Sequence, residues 1–132
     1  MKSKTVLMIE DDLITSQLNQ LLLDEWESVK SYTTERDGLT AIMYLEKCHS
    51  KGGFPDLILL DLNMVVMSGL EFLEHYGKNY LDQHPDTKII ILSNRVNDTD
   101  KQQALAYGFV KGLINKPLTN DKLQAVLNPE GY

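Results

Sequence analysis

Short apolar runs alternate with longer amphipathic segments along the chain. The clearest run, Ile89–Leu92, contains no polar residue, which is typical of a strand buried on both faces of a sheet. The longer segments repeat their apolar residues close to helical spacing, and the first of them carries Leu13, Ile14, Leu18, Leu21, Leu22 and Trp26. The pattern predicts strands near 6–9, 29–33, 57–60, 89–92 and 110–114, and helices near 13–26, 36–48, 68–80, 98–107 and 119–127.

Five strand–helix units of this size predict an α/β fold, because parallel strands are connected by helices that cover both faces of their sheet. The chain has 132 residues, which is the usual size of one domain. No repeat or linker interrupts it. We therefore expect residues 1–132 to form a single domain.

The composition argues against nucleic acid, a membrane or zinc as a partner of this chain. Lys and Arg number 13 against 19 Asp and Glu, a net charge of -6, and no basic patch for nucleic acid or an anionic membrane appears. No apolar run approaches the roughly 20 residues of a membrane span, and acids follow the first run too soon for a signal peptide. The one cysteine, Cys48, has no partner for a disulfide and no second ligand at zinc spacing. We expect a cytoplasmic protein that binds neither nucleic acid nor membrane through this domain.

Polar residues follow four of the five predicted strands, at the point where each strand ends. In a parallel α/β sheet the carboxyl ends of the strands meet at one edge, which is where ligands bind. We therefore expect the following side chains to converge: Glu10, Asp11 and Asp12 after the first strand, Asp61 after the third, Ser93 after the fourth, and Asn115 and Lys116 after the fifth.

The converging residue types indicate phosphoryl chemistry. Neighbouring carboxylates repel unless a proton or cation is present, and Mg²⁺ binds one or two carboxylates together with waters and phosphate oxygens. Lys116 is a point charge for a phosphoryl group, and Ser93 can donate a hydrogen bond to it. Asp61 could then attack phosphorus and form an acyl phosphate. Taken alone, each residue has a plainer interpretation, such as a helix N-cap for Asp12. Because all of these residues are expected to meet at one edge, the interpretation as a phosphoryl-transfer site is favoured.

Five segments within residues 4–127 resemble the receiver domain of two-component response regulators, the fold of the chemotaxis regulators. They are Val6–Asp12, Leu59–Met64, Met67–Phe72, Ile91–Ser93 and Lys116–Pro117. The resemblance implies a flavodoxin-like, five-stranded parallel sheet in the order 2-1-3-4-5. It also implies a phospho-acceptor signalling domain, not an enzyme, which receives its phosphoryl group from a sensor histidine kinase or a phosphotransfer protein.

The resemblance also implies roles for individual residues. Asp61 is the phospho-acceptor and also a ligand of Mg²⁺. Asp11 and the backbone carbonyl of Asn63 bind the same ion directly, and Glu10 binds it through water. Ser93 is the hydroxyl that moves toward the phosphoryl group.

Lys116 pairs with the phosphoryl group, and the bond before Pro117 is expected to be cis. We also expect Asn63 and Arg95 to flank the site and tune hydrolysis of the acyl phosphate.

Three positions depart from the family pattern. Val65 stands where receivers commonly have proline, four residues after the acceptor. Leu113 stands three residues before Lys116, where an aromatic residue is usual. One extra residue lies between Gly108 and Lys116, which affects the assignment of Leu113. Tyr107 is a candidate for the missing mobile aromatic, although a half-buried tyrosine at a helix end is the plainer interpretation.

Because only Asn128–Tyr132 follow the last predicted helix, we expect a receiver without an output domain in this chain: a protein binder, a phosphorelay intermediate or a receiver excised from a longer protein. Its fourth helix, fifth strand and fifth helix would present an altered surface to a downstream protein. Three alternatives remain: a phosphorylation-independent scaffold of the same fold, a Mg²⁺-dependent aspartyl phosphatase, and a flavin or nucleotide binder. The phosphatase is disfavoured by Asn63, where such enzymes place a second aspartate. The nucleotide binder is disfavoured by the acids after the first strand, which repel phosphate.

Overall fold

A computed structural model describes residues 4–94 and 98–128. Five strands alternate with five helices in these ranges, as the apolar pattern predicts. The elements are β1 (Lys4–Ile9), α1 (Leu13–Glu25), β2 (Val29–Glu35), α2 (Gly38–Lys51), β3 (Leu57–Asp61), α3 (Gly69–Asn79), β4 (Lys88–Ser93), α4 (Asp98–Ala106), β5 (Val110–Asn115) and α5 (Asn120–Leu127).

The strands form one parallel sheet in the order β2-β1-β3-β4-β5, which confirms the predicted fold class and topology. Alternate residues of the central strands enter different cores. Leu7 of β1 faces a core that includes residues of α2, α3 and α4, while Val6 and Met8 face a second core with α1 and α5. Two-sided burial explains why these strands are apolar without interruption.

Side-chain caps define where several helices begin. Asp12 is the N-cap of α1, where its carboxylate accepts hydrogen bonds from the Thr15 backbone at 2.8 Å and from the Thr15 hydroxyl at 2.6 Å. Helix α3 begins with a capping box in which Ser68 and Glu71 each accept a hydrogen bond from the other's backbone N–H. The plainer interpretation of Asp12 is therefore confirmed.

Helix α1 turns most of its apolar residues outward. Its buried residues are Ser16, Asn19 and Leu23, which share one side of the helix. Most of the apolar residues that marked the helix in the sequence lie on the other side, 61–70% exposed: Leu13, Ile14, Leu18 and Leu21. Only Leu22 and Trp26 of that set pack against the core. The apolar spacing thus identifies the helix correctly but marks its outer face instead of its buried one.

The edge strand β5 contains a β-bulge between Gly108 and Lys116, the stretch where the family resemblance indicates an extra residue. Ile89 pairs with Val110 and Ile90 pairs with Gly112, so Lys111 between them has no partner on β4. Beyond the bulge the register resumes. Leu113 therefore keeps its place three residues before Lys116.

None of the helices in the described part of the chain is both long enough and apolar enough to span a lipid bilayer.

Candidate functional site

The carboxyl ends of β1 and β3 bring three carboxylates together. Glu10 directly follows β1, Asp61 is the last residue of β3, and both side chains are buried, whereas Asp11 is exposed. One oxygen of each of these three residues lies within 4.8 Å of the others. Asp12 is directed away, because its carboxylate caps α1. Two of the three acids after β1 therefore belong to the cluster.

Lys116 places a positive charge among these acids. Its Nζ lies 2.8 Å from Glu10 Oε1 and 3.3 Å from Asp61 Oδ1, and its side chain is 12% exposed. The backbone N–H of Lys116 donates to the carbonyl of Ser93 at 2.7 Å, which fixes the start of the β5–α5 loop beside β4. The following bond, Lys116–Pro117, is cis, as the resemblance implies.

Burial and mutual repulsion disturb the acid–base equilibria of the cluster. Burial, and then the neighbouring Glu10, raise the pKa of Asp61 to about 6, although Lys116 and the Asn63 backbone oppose this. Partial desolvation at the site, and then the charge of Asp61, likewise raise the pKa of the otherwise exposed Asp11. Burial alone would lower the pKa of Lys116, but its interactions with Glu10 and Asp61 outweigh burial and raise it. The acids therefore carry more negative charge than one lysine neutralises.

A divalent cation fits this donor set. Three carboxylates against one ammonium leave a net charge of about -2, and hard oxygen ligands suit Mg²⁺. Glu10 Oε1 is buried, and within the described residues it makes the ion pair with Lys116 and no further hydrogen bond. Glu10, Asp11 and Asp61 are accordingly the residues that could hold the ion.

Asn63 lies beside Asp61, and Ser93 ends the neighbouring strand β4, one residue after the partner of Asp61. The backbone N–H of Asn63 donates to Asp61 Oδ1 at 3.1 Å, and the Asn63 side chain is exposed. Ser93 is the buried last residue of β4, paired with Asn115 of β5. Arg95, the other residue predicted to flank the site, lies outside the described residues.

Gly69 lets the start of α3 lie close against the backbone at the end of β3. A Cβ at this position would lie 2.8 Å from Leu62 Cα and 3.0 Å from the carbonyl oxygen of Asp61, closer than packed atoms tolerate. In the sequence Gly69 only formed part of a family-like segment. A glycine at the start of a predicted helix is visible in the sequence. The need for it becomes clear only from its contact with the backbone of β3.

Two lysines that the sequence analysis did not single out hold the loop between β5 and α5. Lys101 of α4 donates to Asn115 Oδ1 at 3.2 Å. Lys122 of α5 donates to the carbonyls of Asn115 at 3.0 Å and Pro117 at 2.9 Å. The end of β5 is thus connected to both flanking helices, directly next to Lys116.

A groove of about 550 Å³ extends from Lys116 along β5 and α5 to Val126. Leu113 lines it and is half-buried, with its side chain packed against the core between β4 and α4. Tyr107 is half-buried at the end of α4, and its ring lies 5.5 Å from that of Phe109. The plainer interpretation of Tyr107 therefore agrees with its position.

A family model for the response regulator receiver domain matches residues 6–128. Among curated proteins, the regulator of RpoS from Escherichia coli K12 is 36% identical over 118 residues, which cover 87% of this chain and 31% of that protein. The probable C4-dicarboxylate response regulator DctR of Halalkalibacterium halodurans is 31% identical over 126 residues, which cover 92% of this chain and 49% of that protein. The matched part of the chain thus spans 31% of the length of the first relative and 49% of the length of the second.

Solved structures have the same fold over nearly the whole chain. A two-component response regulator from Cytophaga hutchinsonii superposes with a TM-score of 0.87 at 26% identity, covering 98% of this chain and 97% of that one. The phosphorylated cyanobacterial phytochrome response regulator RcpA gives 0.76 at 27% identity, covering 96% and 91%. The Mn²⁺-bound form of response regulator Rcp1 gives 0.74 at 25% identity, covering 98% and 94%.

Proposed function

Because this chain belongs to the response regulator receiver family, we propose that Asp61 is its phospho-acceptor and takes the phosphoryl group of a phosphohistidine on a histidine kinase or phosphotransfer protein. One observation carries the proposal: Asp61 is buried at the carboxyl end of the sheet with Lys116 Nζ at 3.3 Å and two further carboxylates beside it. That combination supplies a nucleophile, a fixed positive charge and a cation site in one place.

The transfer forms a bond between an oxygen of Asp61 and phosphorus, and it breaks the bond between phosphorus and the donor imidazole. The imidazole leaves neutral after taking up a proton. Lys116 and the hydroxyl of Ser93 stabilise the negative charge of the phosphoryl oxygens. Mg²⁺ held by Glu10, Asp11, Asp61 and the Asn63 carbonyl would supply further positive charge to the same oxygens.

The proposed surface for the phosphodonor is the outward face of α1. Asp61 is 2% exposed, so a donor protein has to cover the rim of the site to reach it. The backbone of Val65 forms a hydrogen bond with Asp11 at that rim, and the Val65 side chain is 90% exposed. On the other side the exposed stripe of α1, which includes Leu18 and Leu21, leads away from the acids. Exposed apolar residues that form a stripe indicate a protein-binding surface.

Substituting this stripe separates donor binding from the chemistry. Leu18→Glu should slow phosphotransfer from a phosphorylated donor protein by about tenfold, the effect of losing one apolar contact in an interface. Phosphorylation by acetyl phosphate should be unchanged, because a small donor needs no docking surface. Met43→Glu, at a 66% exposed position on α2, is the matched control and should leave both rates unchanged. An equal loss with both donors would disprove this role of α1.

The proposed output surface comprises α4, β5 and α5. Ser93 and Lys116 flank the acceptor, and each adjoins this surface through the backbone of β5. Lys101 and Lys122 then connect the end of β5 to α4 and α5. Movement of Ser93 and Lys116 toward a phosphoryl group would therefore be transmitted to the groove beside Leu113. A downstream protein that distinguishes the two states would bind there.

The proposal is tested by intact mass after incubation with acetyl phosphate, with Mg²⁺ or with a chelator. We expect the wild type to gain one phosphoryl group only in Mg²⁺, and Asp61→Asn to gain none. Asp82→Asn, an exposed carboxylate distant in sequence from the site, is the control and should behave as wild type. If wild type gains no phosphoryl group and also fails to bind beryllofluoride, the phosphorylation-independent scaffold is favoured instead.

A further inference from the structure

Lys122 occupies a position in α5 where a cation is unusual. Thr119 is the N-cap of this helix, and its hydroxyl accepts a hydrogen bond from the backbone N–H of Lys122 at 3.2 Å. At this distance from the N-cap, glutamate or glutamine completes a capping box, and the positive end of the helix dipole disfavours a cation. The requirements of the helix alone therefore do not explain a lysine here.

The ammonium group of Lys122 turns back from the helix onto the preceding loop. Its Nζ donates to the carbonyl oxygens of Asn115 at 3.0 Å and of Pro117 at 2.9 Å. These carbonyls belong to the residues directly before and directly after Lys116. Because a charged donor forms stronger hydrogen bonds than a neutral one, this pair fixes the loop more firmly than two ordinary hydrogen bonds.

The backbone of Lys116 is thereby held on both sides. Its own N–H donates to the Ser93 carbonyl at 2.7 Å, and the two carbonyls bound by Lys122 flank it. Its side chain is 12% exposed and reaches Glu10 at 2.8 Å and Asp61 at 3.3 Å. The side chain of lysine is flexible, so its ammonium group is placed accurately only if the backbone that carries it is fixed.

We propose that Lys122 is a positioning residue for phosphorylation of Asp61 and acts through Lys116. By holding the two carbonyls, it keeps the Lys116 ammonium group where the phosphoryl oxygens arrive. In the described part of the chain, Lys116 is the lysine paired with Asp61, whereas Lys122 contacts main-chain carbonyls. The inference rests on the proposed function of Asp61 as the phospho-acceptor.

Two other roles of Lys122 predict different results. If Lys122 only stabilises the start of α5, its removal lowers stability and leaves the site unchanged. If its charge acts on Asp61 through space, its removal slows phosphorylation whether or not Lys116 is present. A positioning role requires Lys116, so removal of Lys122 should matter only while that lysine is in place.

A double-mutant cycle distinguishes these roles. Intact mass gives the rate of phosphorylation by acetyl phosphate in Mg²⁺ for wild type, Lys122→Met, Lys116→Gln and the double variant. In the wild-type background we expect Lys122→Met to slow the reaction about tenfold, the effect of losing charge-assisted hydrogen bonds. In the Lys116→Gln background it should change the rate by less than about twofold. Equal slowing in both backgrounds, or no slowing in either, would overturn the proposal.

Two further variants serve as controls. Lys122→Arg keeps a cation with several N–H donors and should retain most of the wild-type rate. Lys111→Met removes the same charge from an exposed position on β5 and should react like wild type. Urea unfolding shows that each variant is folded under the conditions of the assay. Slowing in Lys111→Met equal to that in Lys122→Met would indicate a general effect of charge and overturn the positioning role.

A second measurement does not depend on phosphorylation. The proteins are labelled with a trace of acetic anhydride in a chelator, and tandem mass spectrometry gives the labelling rate of the Lys116 amine. We expect this rate to rise about threefold or more in Lys122→Met, because the ammonium group is released from the two acids. In Lys111→Met it should be unchanged. Equal labelling of Lys116 in wild type and Lys122→Met would overturn the proposal. Absence of phosphorylation in wild type would instead refute the function of Asp61, and the labelling would still report on Lys122.

Discussion

The two ends of the sheet contain polar groups of opposite character. At the carboxyl ends of the strands, Lys116 Nζ lies within 3.3 Å of the buried carboxylates of both Glu10 and Asp61. At the amino ends, aromatic and imidazole rings pack together, with Tyr80 hydrogen-bonded to Glu46. Burying charge is unfavourable unless the charges are paired, whereas stacked rings contribute to the core. We infer that the carboxyl end lowers the stability of the fold in exchange for a reactive site, whereas the amino end adds to stability.

The largest change in stability is expected from removing the buried lysine. Lys116→Gln leaves two buried carboxylates without their cation, so in a chelator we expect the free energy of unfolding to fall by about 2–3 kcal/mol, limited by protonation of Asp61. The exposed ion pair Lys78–Glu74 serves as the control, and Lys78→Gln should change the free energy of unfolding by less than about 0.5 kcal/mol. Urea unfolding measures both. Equal effects would contradict the distinction between buried and exposed pairs.

The close approach of Gly69 to the backbone at the end of β3 gives the next largest effect. Gly69→Ala adds a Cβ 2.8 Å from a backbone atom of Leu62, so the loop after β3 must shift. We expect a loss of about 1–3 kcal/mol in stability, the range for overpacking, together with slower phosphorylation of Asp61. Gly108→Ala is the control, because a Cβ there meets nothing within 4 Å. Unchanged phosphorylation in Gly69→Ala would separate the loop from the chemistry.

Neutralising the acceptor should stabilise the fold while abolishing its function. The folded-state pKa of Asp61, about 6, exceeds its ordinary value of 3.8, so the folded protein loses stability as the pH rises between these values. Without metal at pH 7, we expect Asp61→Asn to be more stable than wild type by about 1–2 kcal/mol. Near pH 4 the difference should shrink. A destabilised Asp61→Asn at pH 7 would show that Lys116 outweighs burial and Glu10.

The smallest effect is expected at the other end of the sheet. Tyr80→Phe removes the hydrogen bond to Glu46 but keeps the buried ring, so it should lower stability by about 1 kcal/mol. Phosphorylation by acetyl phosphate should be unchanged. If this variant altered the phosphorylation rate, the two ends would be coupled and the contrast between them would fail.

Much of the carboxyl end could be predicted from the sequence, because a parallel sheet brings strand ends together whatever the loops do. Ile89–Leu92 identified its strand by the absence of polar residues, and Asp61 and Lys116 followed from their positions after strands. The outward face of α1 could not be predicted, since periodicity defines an apolar stripe but not the side that packs. The bulge at Lys111 was detectable as an extra residue, but its location depends on the pairing with β4.

The amino end was largely invisible to sequence reasoning. His49 and His84 are 35 residues apart, and nothing in either segment indicates that their rings meet. The contact of Lys101 with Asn115 was unpredictable for the same reason, because it depends on how α4 packs beside β5. Contacts between side chains of separate elements require the packed structure, whereas strand ends are placed by topology alone.

The most direct test of the central claim is to locate the modified residue itself. The acyl phosphate formed in acetyl phosphate and Mg²⁺ is reduced with borohydride, which converts a phosphorylated aspartate to homoserine, and tandem mass spectrometry then reads its position. The account predicts homoserine at position 61 alone, with none at positions 11 or 12 and none when Mg²⁺ is chelated. Homoserine at another position, or its formation in Asp61→Asn, would contradict the assignment of Asp61 as the phospho-acceptor.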